Sequence, residues 1–142
     1  MNVLFRVLED VVVMVHGVEP PTTEEWDAWL DGYMEGGAPR RLPIYVVTEG
    51  GGPDVNQRDT LNRRFAKVRP RAAVITTSGL VRGIITALQW VGHIDLKGFV
   101  PDKRRDALVF LGLRATRMKV IDATVRELQH EIQTTLTASR TA

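Results

Sequence analysis

The sequence predicts an α/β fold, with a mixed sheet of about five strands, crossover helices and a C-terminal helical extension. Two short valine-rich segments, 2–8 and 11–15, flank Glu9-Asp10 and predict an N-terminal β-hairpin. Short apolar runs then alternate with patterns of helical period, as in βαβ units. From residue 114 onward, a single apolar stripe predicts one long helix.

The first helix has a clear start and a clear end. After the prolines at 20–21 stop the hairpin, Thr22 and Glu25 give the T-x-x-E pattern of a capping box. Glycines at 36–37 end the helix. Four apolar side chains recur at i, i+3, i+4 and i+7, so we expect this face on the sheet: Trp26, Trp29, Leu30 and Tyr33.

Three further strands and three helices follow. The run at 42–47 predicts a strand buried on both faces, as in the middle of a parallel sheet. Asp54 or Asn56 can cap the next helix. Its inner face is assigned to Leu61, Phe65 and Val68. The later elements are a strand at 71–76, a helix capped by Ser78, a strand at 96–100 and a helix opened by Pro101-Asp102. The apolar positions of the Ser78 helix are Leu80, Val81, Ile84, Ile85, Leu88 and Trp90.

The C-terminal segment predicts a separate amphipathic helix. Gly112 marks the joint, so we expect an α/β domain over 1–113 and a helix with its tail over 114–142. The stripe has the 3, 4, 3, 4 spacing of a heptad seam and consists of Met118, Ile121, Val125, Leu128 and Ile132. Either the chain's own domain or a second copy must cover it. The heptad spacing favours a homodimer through these five residues.

Charge distribution also favours pairing between copies. The net charge is only +2, but acidic residues dominate up to Glu35 and basic residues dominate from Arg58 to Arg71. Such segments can pair across a two-fold axis, although two solvated helix faces are the simpler interpretation.

Composition excludes several classes of protein. The chain has 142 residues, enough for one domain with a real core, and it has no cysteine for disulfides or thiolate chemistry. Charges interrupt the N-terminal apolar run, so it is not a signal peptide, and no stretch suits a membrane span. We therefore expect a cytoplasmic protein without integral membrane association.

A glycine loop, EGGGPD at 49–54, lies between a strand and a helix, where phosphate-binding loops occur. It lacks the lysine and hydroxyl of a Walker A loop and the third glycine of a dinucleotide-binding loop. Glu49 and Asp54 would also repel phosphate. We therefore expect a turn that caps a helix, with glycines for unusual φ angles or close approach, and no nucleotide or other cofactor.

Other functional motifs are missing too. The three histidines, His16, His93 and His130, lie on different elements without metal-ligand spacing. Ser78 has no nucleophile-elbow motif around it, so a helix cap is the simplest role. The basic segment 58–71 lacks interleaved aromatic residues, which argues against nucleic-acid binding. No residue is predicted to be catalytic or to bind a metal.

Several phrases resemble a known family. These are the hairpin ending in VVVMVHG, the tryptophan-bearing first helix, the strand IYVVTEGG, and RAAVITTSGLVRGIITALQWVG before LKGFVPDKRRDALVFLGL. Over residues 3–113 the sequence resembles the SpoIIAA-like branch of the STAS-type domains, the fold of anti-sigma-factor antagonists. The resemblance implies a STAS-like fold and a bacterial regulatory module that binds a partner protein and is not an enzyme.

The resemblance also implies a partner surface at the glycine loop and the helix after it. On this sequence the surface comprises Glu49, Gly50, Gly51, Gly52, Asp54, Asn56, Arg63, Arg64 and Lys67. The family's phosphorylated serine or threonine has no counterpart in GGGPDVNQRD, and Thr60 lies further into the helix. Two alternatives remain open, a domain that binds a small apolar ligand or lipid, and an enzyme of unrecognised type.

Overall fold

The computed structural model describes residues 1–65, 68–89 and 95–141, with the side chains of 86–89 and 139–141 excepted. The strands are β1 (Val3–Val7), β2 (Val12–His16), β3 (Met34–Glu35), β4 (Ala38–Pro39), β5 (Ile44–Thr48), β6 (Arg71–Ile75) and β7 (Asp95–Phe99). The helices are α1 (Thr23–Tyr33), α2 (Val55–Arg64), α3 (Gly79–Gln89), α4 (Arg104–Phe110) and α5 (Met118–Thr141), and short 3-10 turns precede α4 and α5.

Five strands form one mixed sheet in the order β1-β2-β5-β6-β7. The hairpin strands β1 and β2 pair antiparallel, whereas β2, β5, β6 and β7 are parallel to one another. This confirms the predicted α/β fold, a five-stranded mixed sheet with an N-terminal hairpin, crossover helices and a C-terminal helix. The two-residue strands β3 and β4 form a separate small hairpin.

Alternate side chains of each central strand bury into two different cores. Val12 and Met14 on β2 belong to a core covered by α1, α2 and α3, whereas Val13 and Val15 belong to a core covered by α4 and α5. We call these the front core and the back core. Both sides of the parallel strands are therefore shielded from water, as the apolar run in β5 predicts.

Helix α1 begins and packs as its sequence predicts. Thr22 accepts a hydrogen bond from the amide of Glu25, and the Glu25 carboxylate accepts one from the amide of Thr22, which completes the capping box. Its four buried residues are Trp26, Trp29, Leu30 and Tyr33, the predicted inner face. The Glu25 carboxylate also accepts hydrogen bonds from the amides of Asn2 and Val3, which ties α1 to the start of β1.

Helix α5 lies on the sheet of its own chain. Ile121, Val125, Leu128 and Ile132 are buried in the back core, and Met118 packs against that core. Arg117 forms two hydrogen bonds to Asp10, of 2.6 and 2.7 Å, and Arg6 pairs with Glu127. Of the two covers considered for these five residues, the structure shows the chain's own strands β1 and β2, and pairing between two copies stays a prediction.

Other details differ from the predictions. Helix α2 ends at Arg64, so Val68 is not part of it, and Phe65 takes the C-cap position. On α3, Leu80 and Ile84 are exposed, because the sheet needs only one narrow side of this helix. The side chain of Leu88, together with all of Trp90, lies outside the described residues. The glycines at 36–37 have φ angles of 60° and 80°, which lets them turn the unpredicted hairpin β3-β4.

The packing of α5 can be tested with two leucines on the same helix. Leu128 is 2% exposed in the back core, whereas Leu136 is 41% exposed. Leu128→Ala should lower the free energy of unfolding by roughly 2–5 kcal/mol, since it removes buried apolar volume and leaves a cavity. Leu136→Ala should change it by less than about 0.5 kcal/mol. Chemical denaturation measures both, and equal effects would contradict the back core as described.

Candidate functional site

The front core is not completely filled. A cavity of about 360 Å³ lies between the sheet and helices α1, α2 and α3, near the carboxyl ends of β2 and β5. Its floor is formed by side chains of the sheet: Met14, His16, Ile44, Val46, Thr48, Ala72, Val74 and Leu96. Its walls are formed by Val18, Pro20, Trp26, Trp29, Gly50, Gly51, Gly52, Pro53, Arg58, Leu61, Asn62, Val81, Ile84 and Ile85.

Polar side chains gather at the carboxyl ends of the parallel strands. His16 ends β2 and pairs in register with Thr48, which ends β5, and Thr76 follows β6 directly. All three are buried. Since each lies two residues beyond a front-core residue, the three point to the front of the sheet. Ligands of open α/β sheets bind at this edge, outside the carboxyl ends of the strands.

The two threonines are already used by the loops that leave the strands. The Thr48 hydroxyl donates to the carbonyl of Gly51 at 2.5 Å and accepts from the amide of Gly50 at 3.0 Å. The Thr76 hydroxyl accepts from the amide of Ser78 at 3.1 Å. These bonds fix the start of each loop, and the Thr48 hydroxyl, which lines the cavity, both donates and accepts within the loop.

His16 is the unusual polar group of this site. Its ring is 4% exposed, and Nδ1 is buried without a hydrogen-bond partner among the described residues. Burial lowers the pKa of His16 to about 4, and the nearby Glu25 carboxylate opposes this only in part. At neutral pH the imidazole is therefore uncharged. It lies 6.4 Å from the ring of Trp26, measured between centroids, and adds surface without charge to the cavity wall.

The glycine loop packs closely against the segment that follows β2. The Gly51 amide donates to the carbonyl of Gly17 at 2.9 Å, and a Cβ at Gly51 would lie 2.6 Å from the carbonyl oxygens of Gly17 and Glu19. Gly50 has a φ of 128°, which favours glycine. The prediction of unusual φ angles and close approach is confirmed. The loop amides of Gly50 and Gly51 both have partners within the chain.

The start of α2 is held against α1. Asp54 and Gln57 form a capping box, in which each side chain accepts a hydrogen bond from the other's amide. The Gln57 side chain donates to the carbonyl of Pro21 at 2.8 Å. The indole of Trp26 donates to the carbonyl of Gln57 at 2.9 Å. Of the two predicted caps, Asp54 is correct and Asn56 is not.

The predicted partner surface is partly exposed and partly used for packing. Glu49, Gly50, Asp54, Asn56 and Arg63 are exposed, Gly52 is half-buried, and Gly51 is buried. Arg64 is half-buried and pairs with Asp31 on α1 at 2.9 Å. The acidic and basic segments thus meet at this pair within one chain. Lys67 lies outside the described residues.

Sequence reasoning did not find the cavity. Its lining comes from four strands, three helices and the loops between them, so neither spacing nor a motif marks it. One signal was present in His16, a titratable residue at the end of an otherwise apolar strand. It was judged only as a possible metal ligand, and the described residues bring together no group of three or more metal-ligating side chains.

Comparison with known proteins supports the fold. No protein-family model matches the chain, and no curated protein matches it either. A solved structure does: a DUF3478 family protein with a SpoIIAA-like fold from Shewanella loihica PV-4. The two share 18% sequence identity with a TM-score of 0.57, over 78% of this chain and 94% of that one. The chain therefore has a SpoIIAA-like, STAS-type fold, as the sequence resemblance implied.

Among the described residues, no helix combines the length and the apolar character that crossing a bilayer requires.

The close approach of the glycine loop can be tested with two neighbouring glycines. Gly51→Ala should cost roughly 1–3 kcal/mol of stability, because the new methyl group would press on two backbone carbonyls. Gly52→Ala is the matched control, since a Cβ there meets nothing within 4 Å. Thermal or chemical unfolding measures both. Equal stability of the two variants would show that the loop does not lie against Gly17 and Glu19.

Buried His16 should make stability depend on pH. The unfolded imidazole takes up a proton near pH 6.5, whereas the folded one resists protonation until about pH 4. The unfolded state therefore binds more protons in this window, and the free energy of unfolding should fall as the pH falls. The full loss is roughly 3 kcal/mol. Hydrogen bonds to the Glu25 carboxylate lower its pKa although burial raises it, so its own contribution is lost only below pH 4.5.

The measurement is urea denaturation between about pH 7 and about pH 5, above the range in which Glu25 titrates. His16→Gln should flatten the pH dependence in this range. His130→Gln is the control, because His130 is exposed on α5, and it should keep the wild-type slope. A wild-type slope in the His16→Gln variant would mean that His16 is not buried as described.

Proposed function

We propose that this protein is a non-enzymatic binding module that holds a small apolar ligand in the front-core cavity. The observation that carries the proposal is the cavity itself. It is an apolar cleft of about 360 Å³ that is partly open to solvent, and apolar clefts with a few polar groups are the usual sites of small-molecule binding. Its volume lies in the range of about 300–1,000 Å³ typical of small-molecule sites.

The lining determines the kind of occupant. Aromatic and aliphatic side chains such as Trp26, Val46 and Ile85 dominate it. Thr48 and the loop amides are hydrogen-bonded internally, so they offer little to a polar ligand. A ligand would therefore be recognised mainly by the apolar area that it removes from water, at about 25 cal/mol per Å².

The polar residues that line the cavity also argue against catalysis. Hydrolytic or transfer chemistry requires a nucleophile or a general base next to the substrate. Of the described lining residues, Thr48 is committed to the glycine loop, and burial lowers the pKa of His16 to about 4, so its imidazole is a weak base at neutral pH. This arrangement supports a binding role.

A second candidate is the regulatory module that binds a partner protein in the cytoplasm. The specific observation in its favour is a group of exposed apolar side chains around the cavity: Val18, Val55, Leu80 and Ile84. Val18 and Ile84 line the cavity as well. Exposed apolar patches of this kind suit protein contact. The two candidates are compatible, since a bound ligand would support the inner sides of α2 and α3.

Filling the cavity tests the proposal. Ala72 is buried on the cavity floor, and Ala72→Leu should occupy part of the space. This variant should remain folded and bind the apolar fluorescent probe N-phenylnaphthylamine at least about tenfold more weakly than wild type, because the probe loses room. Ala28→Leu, at an exposed position of α1, is the matched control and should bind like wild type.

If the folded Ala72→Leu variant binds the probe as tightly as wild type does, the cavity is not the binding site. Native mass spectrometry of the purified protein separates the two candidates further. A retained small molecule, lost in Ala72→Leu and kept in Ala28→Leu, supports the ligand binder.

A further inference from the structure

One charged side chain borders the cavity. Of the described residues that line it, only Arg58 is charged, and it sits on α2 one helical turn before Asn62, which also lines the cavity. Residues at i and i+4 are neighbours on a helix surface, so Arg58 and Asn62 lie on the same face of α2. The third residue of α2 that lines the cavity, Leu61, is apolar.

Arg58 is oriented without being neutralised. Its Nη1 donates to the carbonyl of Pro53 at 3.2 Å, a bond that directs the side chain back along the glycine loop. No carboxylate pairs with Arg58 among the described residues, whereas Arg64 on the same helix pairs with Asp31. Most of the five N–H groups of the Arg58 guanidinium therefore remain for another acceptor.

Arg58 is also half-buried, next to an apolar space. A partly desolvated guanidinium gains more from an ionised hydrogen-bond acceptor than an exposed one does. Because burial lowers the pKa of His16 to about 4, that imidazole adds no second positive charge at neutral pH. The site thus presents a single positive charge beside an apolar chamber.

We propose that the ligand is an amphiphile with one carboxylate, whose head group binds Arg58 and Asn62 while its apolar tail fills the front-core cavity. This rests on the proposed function of the cavity. A carboxylate matches the fork of a guanidinium with two hydrogen bonds. A phosphate head group fits less well, because it carries up to two charges and the amides of Gly50 and Gly51 are already bonded within the chain.

The test compares ligands that share a tail and differ in the head group. Decanoate, decanol and decyl phosphate are titrated against the full chain, and tryptophan fluorescence reports occupancy because Trp26 and Trp29 line the cavity. Arg58→Met removes the charge and keeps an unbranched side chain. Arg126→Met, at an exposed position on α5 behind the sheet, is the matched control.

Arg58→Met should weaken decanoate binding by about tenfold or more, since a hydrogen bond to a charged group contributes roughly 1.5–3 kcal/mol. Decanol binding should change by less than about twofold in the same variant, because its head group has no charge to lose. Arg126→Met should leave both affinities unchanged.

The outcomes separate the head group from the cavity. Equal weakening of decanoate and decanol in Arg58→Met, or no weakening of either, overturns the carboxylate proposal and leaves the cavity in place. Decyl phosphate binding more tightly than decanoate to wild type overturns it in favour of a phosphate amphiphile. If none of the three ligands binds wild-type protein, the proposed function itself fails.

Discussion

The central strands of this protein are apolar on both faces, so water must be excluded from both sides of one sheet. Strand β5 illustrates the constraint, since Tyr45 belongs to the back core while Ile44 and Val46 belong to the front core. Every helix is therefore needed as a cover. The front receives α1, α2 and α3, and the back receives α4 and α5, which gives the three-layer arrangement that buried parallel sheets require.

The helices that cover the back and the front of the sheet differ in length, and this difference accounts for the position of the cavity. Helix α5 has 24 residues, so it is about 36 Å long and one element shields both hairpin strands from behind. The front is covered by three shorter helices, of 11, 10 and 11 residues. Space is left where these pieces converge, beside the carboxyl ends of β2 and β5.

Local sequence patterns predicted the helices and strands, but they did not predict which of these elements contact one another. The capping box at Thr22 and the four apolar residues of α1 depend only on neighbours in sequence, so they could be read directly. The stripe on α5 was also read correctly, yet the same heptad spacing suits a helix partner or a sheet, and only the three-dimensional contact with β2 decides between them. Leu80 and Ile84 fit the helical period and are nevertheless exposed, because α3 contributes only part of its apolar side to the front core.

The candidate site was harder to predict than the fold, since a cavity is a space that the side chains leave empty. Ala72 leaves room on the cavity floor because its side chain is small, which no motif records. Arg58 was counted among the basic residues of a surface segment, and its position beside the cavity depends on how the Asp54 cap and the Gln57 contacts orient the first turn of α2.

The place of α5 in the chain has a consequence for biosynthesis. The back of the hairpin β1-β2 is covered by residues that the ribosome adds much later than the hairpin, such as Leu128 and Ile132. Until these have emerged, Val13 and Val15 face water or other unfolded chains. When the helix that covers a strand is synthesised long after the strand, an apolar sheet face stays exposed during synthesis. Chaperones act on such surfaces, and aggregation begins there. Premature termination before α5 should therefore yield an aggregation-prone fragment that cellular quality control removes.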